Sequence, residues 1–139
     1  MHDTAILLPV FALAALTFCV LLLIPVIRVR SALKKEVGPD DFKYGESANV
    51  PPQVSLPNRN YMNLLELPVL FYVVCLMLFM TDGGRGTALT LAWTYAGLRF
   101  LHSLIHLSYN RVIHRMLVFG VSNFVLAGLW IVAFLHIGG

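Results

Sequence analysis

TALTLAWTYAGLRFLHSLIHLSY, residues Thr87–Tyr109, is the stretch on which the fold turns. As a helix it is long enough to cross roughly 30 Å of hydrocarbon. Arg99 is its one Lys, Arg, Asp or Glu. A charge at membrane depth costs free energy and is kept mainly where it has a partner and a task. Three further apolar stretches accompany it, Thr4–Ile27, Asn58–Thr81 and Val112–Ile137, the second carrying Glu66 at depth. The chain has 139 residues, 58% hydrophobic and 12% charged, with mean hydropathy +0.78. So few charges leave too little polar surface to solubilise a domain of this length. The expectation is therefore a single all-α domain over residues 1–139, an integral membrane four-helix bundle with a long first loop at about residues 28–57.

Basic residues set the expected orientation. The first loop with the start of the following stretch, Arg28–Asn60, holds Arg28, Arg30, Lys34, Lys35, Lys43 and Arg59, and the third, near Tyr109–Arg115, holds Arg111 and Arg115. The short second loop offers Arg85. That asymmetry places loops one and three in the cytoplasm and both termini outside. The net charge of +3 then reads as orientation plus attraction to anionic lipid headgroups, with no call for nucleic acid. The first stretch does not read as a signal peptide: Met1-His2-Asp3 has no basic residue and the apolar run is too long. Pro25 and Pro68 are expected to kink or terminate their helices. Gly38-Pro39-Asp40-Asp41 and Asn49-Val50-Pro51-Pro52 read as turns, the aspartates solvated. Cys19 and Cys75 read as packing residues, Asn123 as a helix–helix hydrogen bonder, and Gly97, Gly120 and Gly128 as points of close helix approach.

Helical spacing gathers the polar residues. Arg59, Asn63 and Glu66 fall at i, i+4 and i+7 on one face. Tyr95, Arg99, His102, His106 and Tyr109 fall within an arc of about 80°. From the axial rise, Glu66 lies roughly 12 Å, Arg99 roughly 15 Å and His102 roughly 10 Å inside the cytoplasmic helix ends. The turn Asp82-Gly83-Gly84-Arg85-Gly86 makes the two helices antiparallel, so Glu66 and Arg99 are expected to meet as an ion pair. That pair alone would serve to fix helix pairing. With Arg59, Asn63, His102, His106, Tyr109 and Arg115 it also makes a cationic pocket open to the cytoplasm, suited to a small ligand bearing carboxylates. His102 and His106 at i, i+4 admit a second reading as metal ligands, with Glu66 as a third. Too few further histidines are at hand for an oxygenase centre, and no metal is expected.

The run Arg59-Asn60-Tyr61-Met62-Asn63-Leu64-Leu65-Glu66-Leu67-Pro68, with Arg99-Phe100-Leu101-His102, Arg115 and the pairing of Arg30 with Pro39-Asp40-Asp41, resembles the MAPEG proteins, membrane-associated proteins of eicosanoid and glutathione metabolism. The resemblance covers essentially the whole chain and is that of a divergent bacterial member. It implies a homotrimer with glutathione as thiol co-substrate between neighbouring subunits, open to the cytosol. It implies that Arg30, Arg59, Asn63, Glu66, His102 and His106 line that site, that Arg115 lies nearest the thiol, and that a hydrophobic co-substrate enters from the lipid. The activity implied is that of a transferase or peroxidase in a bacterial inner membrane. An arginine beside a thiol favours the nucleophilic thiolate. Two departures stand out. One residue, Leu67, separates Glu66 from Pro68 where many members have two or three. Met116 and Phe119 stand where some catalytic members carry hydroxyls. The alternative is a catalytically silent relative that binds lipid or serves as a subunit of a larger membrane assembly.

Overall fold

A computed structural model describes residues 3–139; Met1 and His2, on which part of the reading against a signal peptide rests, lie outside the described residues. The described residues form helices and turns with no strand. A short 3-10 turn, Thr4–Ile6, leads into α1, Leu7–Leu33. Next come α2, Pro52–Leu65, and α3, Pro68–Met80, then α4, Thr87–Leu107, and α5, Val112–Gly138. Counting α2 and α3 as one interrupted rod gives a four-helix bundle. Three of its rods, Thr4–Leu33, Pro52–Met80 and Val112–Gly138, are long and apolar enough to cross a membrane. The fourth, α4, spans 21 residues and is long enough, but its inward face is polar.

Each rod obeys a different local rule. α1 is apolar all round: Leu13, Val20 and Ile24 face the core while Phe11, Phe18 and Leu22 face out, the pattern of a helix surrounded by lipid. Pro25 does not end it. The helix continues to Leu33, six residues past the expected Ile27, because a freed carbonyl costs less than unwinding a segment that has no water to satisfy it. Pro68 does break its rod. The backbone leaves helical geometry at Glu66 (φ −85°, ψ −106°), and Pro68 opens α3, where its missing N–H costs nothing. The expected single helix Asn58–Thr81 is thus two, begun earlier at Pro52.

The core lies between the rods and is built from Leu13, Leu64, Phe71, Leu78, Ala92 and Leu129, with Cys75 among them. Phe71 stacks on Tyr95 at 4.7 Å between centroids. Small Ala88, Ala92 and Ala96 on α4 are buried and let α4 lie close to its neighbours. α4 packs most heavily on α5, and α1 on α2.

The two ends differ. At one end the 81–86 turn is clasped tightly. His136 Nε2 donates to the Thr81 carbonyl at 2.9 Å, and Arg85 pairs with Asp3 at 3.0 Å. A Cβ at Gly83 would fall 2.4 Å from His136, and one at Gly84 2.7 Å from Ile6. Close approach therefore occurs here. Gly97 and Gly120 face open space, and Gly128 has only Leu91 at 3.8 Å, so these three do not hold helices together within the chain. At the other end residues 34–51 form a folded cap over Val37, Val50 and Val54. Asp41 organises it, accepting from the Gly38 N–H at 2.8 Å and from Ser47 Oγ at 2.7 Å. Arg28 lies over the Phe42 ring at 4.4 Å and reaches Glu46 at 3.4 Å. The expected loose turns are tied by side chains, and Asp41 is a turn-builder rather than a merely solvated residue.

Candidate functional site

The polar residues of α4 from Tyr95 onward turn inward: Tyr95, Arg99, His102, Ser103 and His106 are each 2% exposed or less. They face α2 and α5. Arg99 is completely buried, and its Nη2 donates to the backbone carbonyl of Asn63 at 2.8 Å. This partner is a product of the break at Glu66. The last carbonyls of a helix have no intrahelical donor, and a cation at a helix C-terminus also meets the negative end of its dipole. Arg99 therefore caps α2 from a neighbouring helix.

The ion pairs among the described residues do not include the expected Glu66–Arg99 pair. Glu66 is exposed, because the unwound turn at Glu66 takes it off the face it would share with Asn63 in a continuous helix. The spacing argument assumed that helix; the structure puts the kink on the carboxylate itself.

Around Arg99 the donors are dense. Asn60, not singled out by spacing, is fully buried and accepts from Ser103 Oγ at 3.2 Å. Asn60 Nδ2, Tyr95 Oη, Arg99 Nε and Nη1, His102 Nδ1 and both ring nitrogens of His106 are buried without a hydrogen-bond partner among the described residues. Buried polar atoms are ordinarily satisfied, so this donor-rich face fits a ligand supplying acceptors such as carboxylates. His102 and His106 lie edge to face, 5.9 Å between centroids. Among the described residues no group of three or more His, Cys, Asp or Glu is arranged to hold a metal. Phe119 of α5 closes the face, 5.6 Å from the Arg99 guanidinium and 5.8 Å from the His102 ring.

The other expected site residues lie on the outside. Arg30 and Arg59 are exposed and Asn63 is half-buried. Arg30 edges an apolar groove of about 440 Å³ with Pro25, Val26, Val29 and Leu33, and a second groove with Ser31, Glu36 and Gln53. Tyr109, expected on the polar face, is exposed and instead shares a hydrogen bond with His114 Nδ1 at 2.9 Å. Arg115 is half-buried, its Nη1 donating to Asn110 Oδ1 at 2.7 Å. Asn123 Oδ1 finds no partner among the described residues, so the helix–helix bond expected of it is not seen among them. Nothing in the spacing marked Asn60, Ser103 or Asn110; only their small polar side chains beside an apolar run set them apart.

One chain thus presents a buried donor face and, separately, a set of outward arginines. The model of the MAPEG family matches residues 6–135, nearly the whole chain. Comparisons with curated proteins and with solved structures return no match.

Proposed function

The chain belongs to the MAPEG family, and from that premise we propose that it is a glutathione-binding membrane enzyme, a transferase or peroxidase acting on hydrophobic electrophiles. The observation that carries this reading is the buried, acceptor-poor face of Arg99, His102 and His106, on the helix that precedes Arg115. Glutathione offers two carboxylates, a chain of amides and an amine. His102, His106 and Asn63 would hold its acceptors, Arg30 and Arg59 its carboxylates, and Glu66 its amine.

Arg115 would face the sulfur. The thiol proton leaves to solvent, and the guanidinium stabilises the thiolate that remains. That thiolate then attacks an electrophile arriving from the lipid. The exposed positions of Arg30, Arg59 and Glu66 favour a site completed by a neighbouring copy in a homotrimer. The basic residues at the ends carrying loops one and three favour a site opening to the cytoplasm of a bacterial inner membrane, with both termini outside.

The test is binding followed by spectroscopy in detergent. Millimolar glutathione should raise the melting temperature, and the ultraviolet absorbance of the thiolate should appear with the wild-type chain and vanish in Arg115→Ala. No thermal shift would refute the proposal. A second reading has its own observation: Phe119 places a ring, not a hydroxyl, against Arg99 and His102, and Met116 is exposed and apolar. This favours a silent relative that binds lipid or joins a larger membrane assembly. Stable co-purification with a partner, unaffected by Arg115→Ala, would support that reading; a lone trimer with turnover would exclude it.

A further inference from the structure

The turn between α4 and α5 carries a device outside the donor face. Asn110 sits in the left-handed region (φ +49°), where a non-glycine residue is uncommon and Asn is among those best tolerated. Its backbone N–H returns to the Ile105 carbonyl at 2.8 Å, closing the end of α4. Its side-chain Oδ1 accepts from Arg115 Nη1 at 2.7 Å, one turn into α5. The neighbouring pair repeats the reach: Tyr109 and His114, also five apart, share a hydrogen bond at 2.9 Å. The two cross-links span the same turn side by side. A long, flexible guanidinium at a helix start would otherwise sample many rotamers.

We infer that Asn110 is a positioning residue: its amide oxygen anchors one nitrogen of Arg115 and so aims the rest of the guanidinium at the bound sulfur. The inference rests on the reading of Arg115 as the residue that stabilises a glutathione thiolate. The chemistry suits the role. A neutral carbonyl orients the cation by a charge-assisted hydrogen bond without cancelling its charge, so the positive field remains for the thiolate. A carboxylate in the same place would orient equally well but neutralise it.

Two variants separate orientation from charge. Asn110→Gly keeps the left-handed backbone and the closure of α4 but deletes the anchor. Asn110→Asp keeps the anchor and adds a negative charge. The first readout needs no glutathione: the rate at which an arginine-directed dicarbonyl reagent modifies Arg115, followed by peptide mass spectrometry of the full-length protein in detergent. Asn110→Gly should raise that rate severalfold, and Asn110→Asp should leave it near wild type. The second readout is the pH midpoint of thiolate formation in the glutathione complex. Both variants should raise it, so that the thiolate fraction at neutral pH falls roughly tenfold, the scale of one charge-assisted hydrogen bond.

Unchanged labelling in Asn110→Gly overturns the inference whatever glutathione does. Faster labelling with an unmoved thiolate midpoint overturns it too, by making the anchor merely structural. A wild-type chain that glutathione does not stabilise, with labelling still faster in Asn110→Gly, upholds the anchor and overturns the enzymatic reading instead.

Discussion

Arg99 Nη2 and the Asn63 carbonyl oxygen lie 2.8 Å apart, joining α4 to the broken end of α2. The contact joins residues 36 positions apart and couples two features: a helix end freed by the break before Pro68, and a charge buried on α4. The freed carbonyl needs a donor, and the buried charge needs an acceptor. The contact satisfies the carbonyl and one of the three guanidinium nitrogens, so each lowers the cost of the other.

Arg99→Leu should therefore destabilise the protein. It removes a buried charge but leaves the Asn63 carbonyl without its donor, at a cost of about 1–3 kcal/mol. A lowered melting temperature in detergent, with loss of the assembled form on size exclusion, is the expected result. Full stability would show that water serves the carbonyl as well.

Pro68→Ala should weaken that dependence. Removing the ring and restoring the N–H at position 68 lets the helix run on through Glu66, so that the Leu67 N–H can reach the Asn63 carbonyl and the N–H at position 68 the Leu64 carbonyl. The Pro68→Ala, Arg99→Leu double variant should then lose less than the two single losses together. A coupling of roughly 0.5–3 kcal/mol is the range for groups in direct contact; strict additivity would count against the link.

Arg115→Ala should act on chemistry rather than fold. The side chain is half-buried and, among the described residues, hydrogen-bonded to Asn110 alone, so stability should change by no more than about 1 kcal/mol. Thiolate absorbance with glutathione should disappear. Equal loss of stability in Arg115→Ala and Arg99→Leu would remove the distinction between them.

Phe119→Tyr adds one hydroxyl beside Arg99 and His102, which lie 5.6 Å and 5.8 Å from the ring. If the donor face receives glutathione, the new hydroxyl should raise the thiolate fraction, by roughly tenfold for one hydrogen bond to a charged sulfur. Pairing it with Met116→Ser should raise it further. A silent relative would show no thiolate in either variant.

Asp41 gives a pH dependence. The Gly38 N–H and then the Ser47 hydroxyl stabilise its carboxylate, holding its pKa below the ordinary 3.8. A group depressed on folding adds stability that is fully present above its unfolded value and is lost as pH falls through the folded one. The 34–51 cap should thus stay ordered down to about pH 4 and loosen below that, measured as amide exchange at Gly38. Asp41→Asn should exchange quickly at every pH.

The sequence displayed Arg99 because a lone charge in a membrane-length apolar run is conspicuous. It displayed the break because Pro68 lacks the N–H that a continuous helix requires. It hid the partner, since the acceptor is a backbone carbonyl and every residue has one. The break itself misplaced Glu66. Its spacing from Asn63 matched one face only while the helix stayed whole, and the kink fell on that very residue. Pro25 shows the converse, a proline whose helix continues, because an apolar surround offers the chain no better alternative than the remaining hydrogen bonds. Asn60 and Ser103 were unreadable for a simpler reason. A small polar side chain looks the same in sequence whether it faces lipid, water or another helix.

The tight clasp at the 81–86 turn sets where the molecule can yield. With His136 on Thr81, Arg85 on Asp3 and no room for a methyl group at Gly83 or Gly84, the rods are riveted together there like the legs of a pair of tongs. Their far tips are the ends carrying residues 34–51 and 108–111, each tied within itself. A guest prising the rods apart would meet little leverage at the rivet and much at the tips, so amide protection should fall steadily from the 81–86 turn towards Asn110.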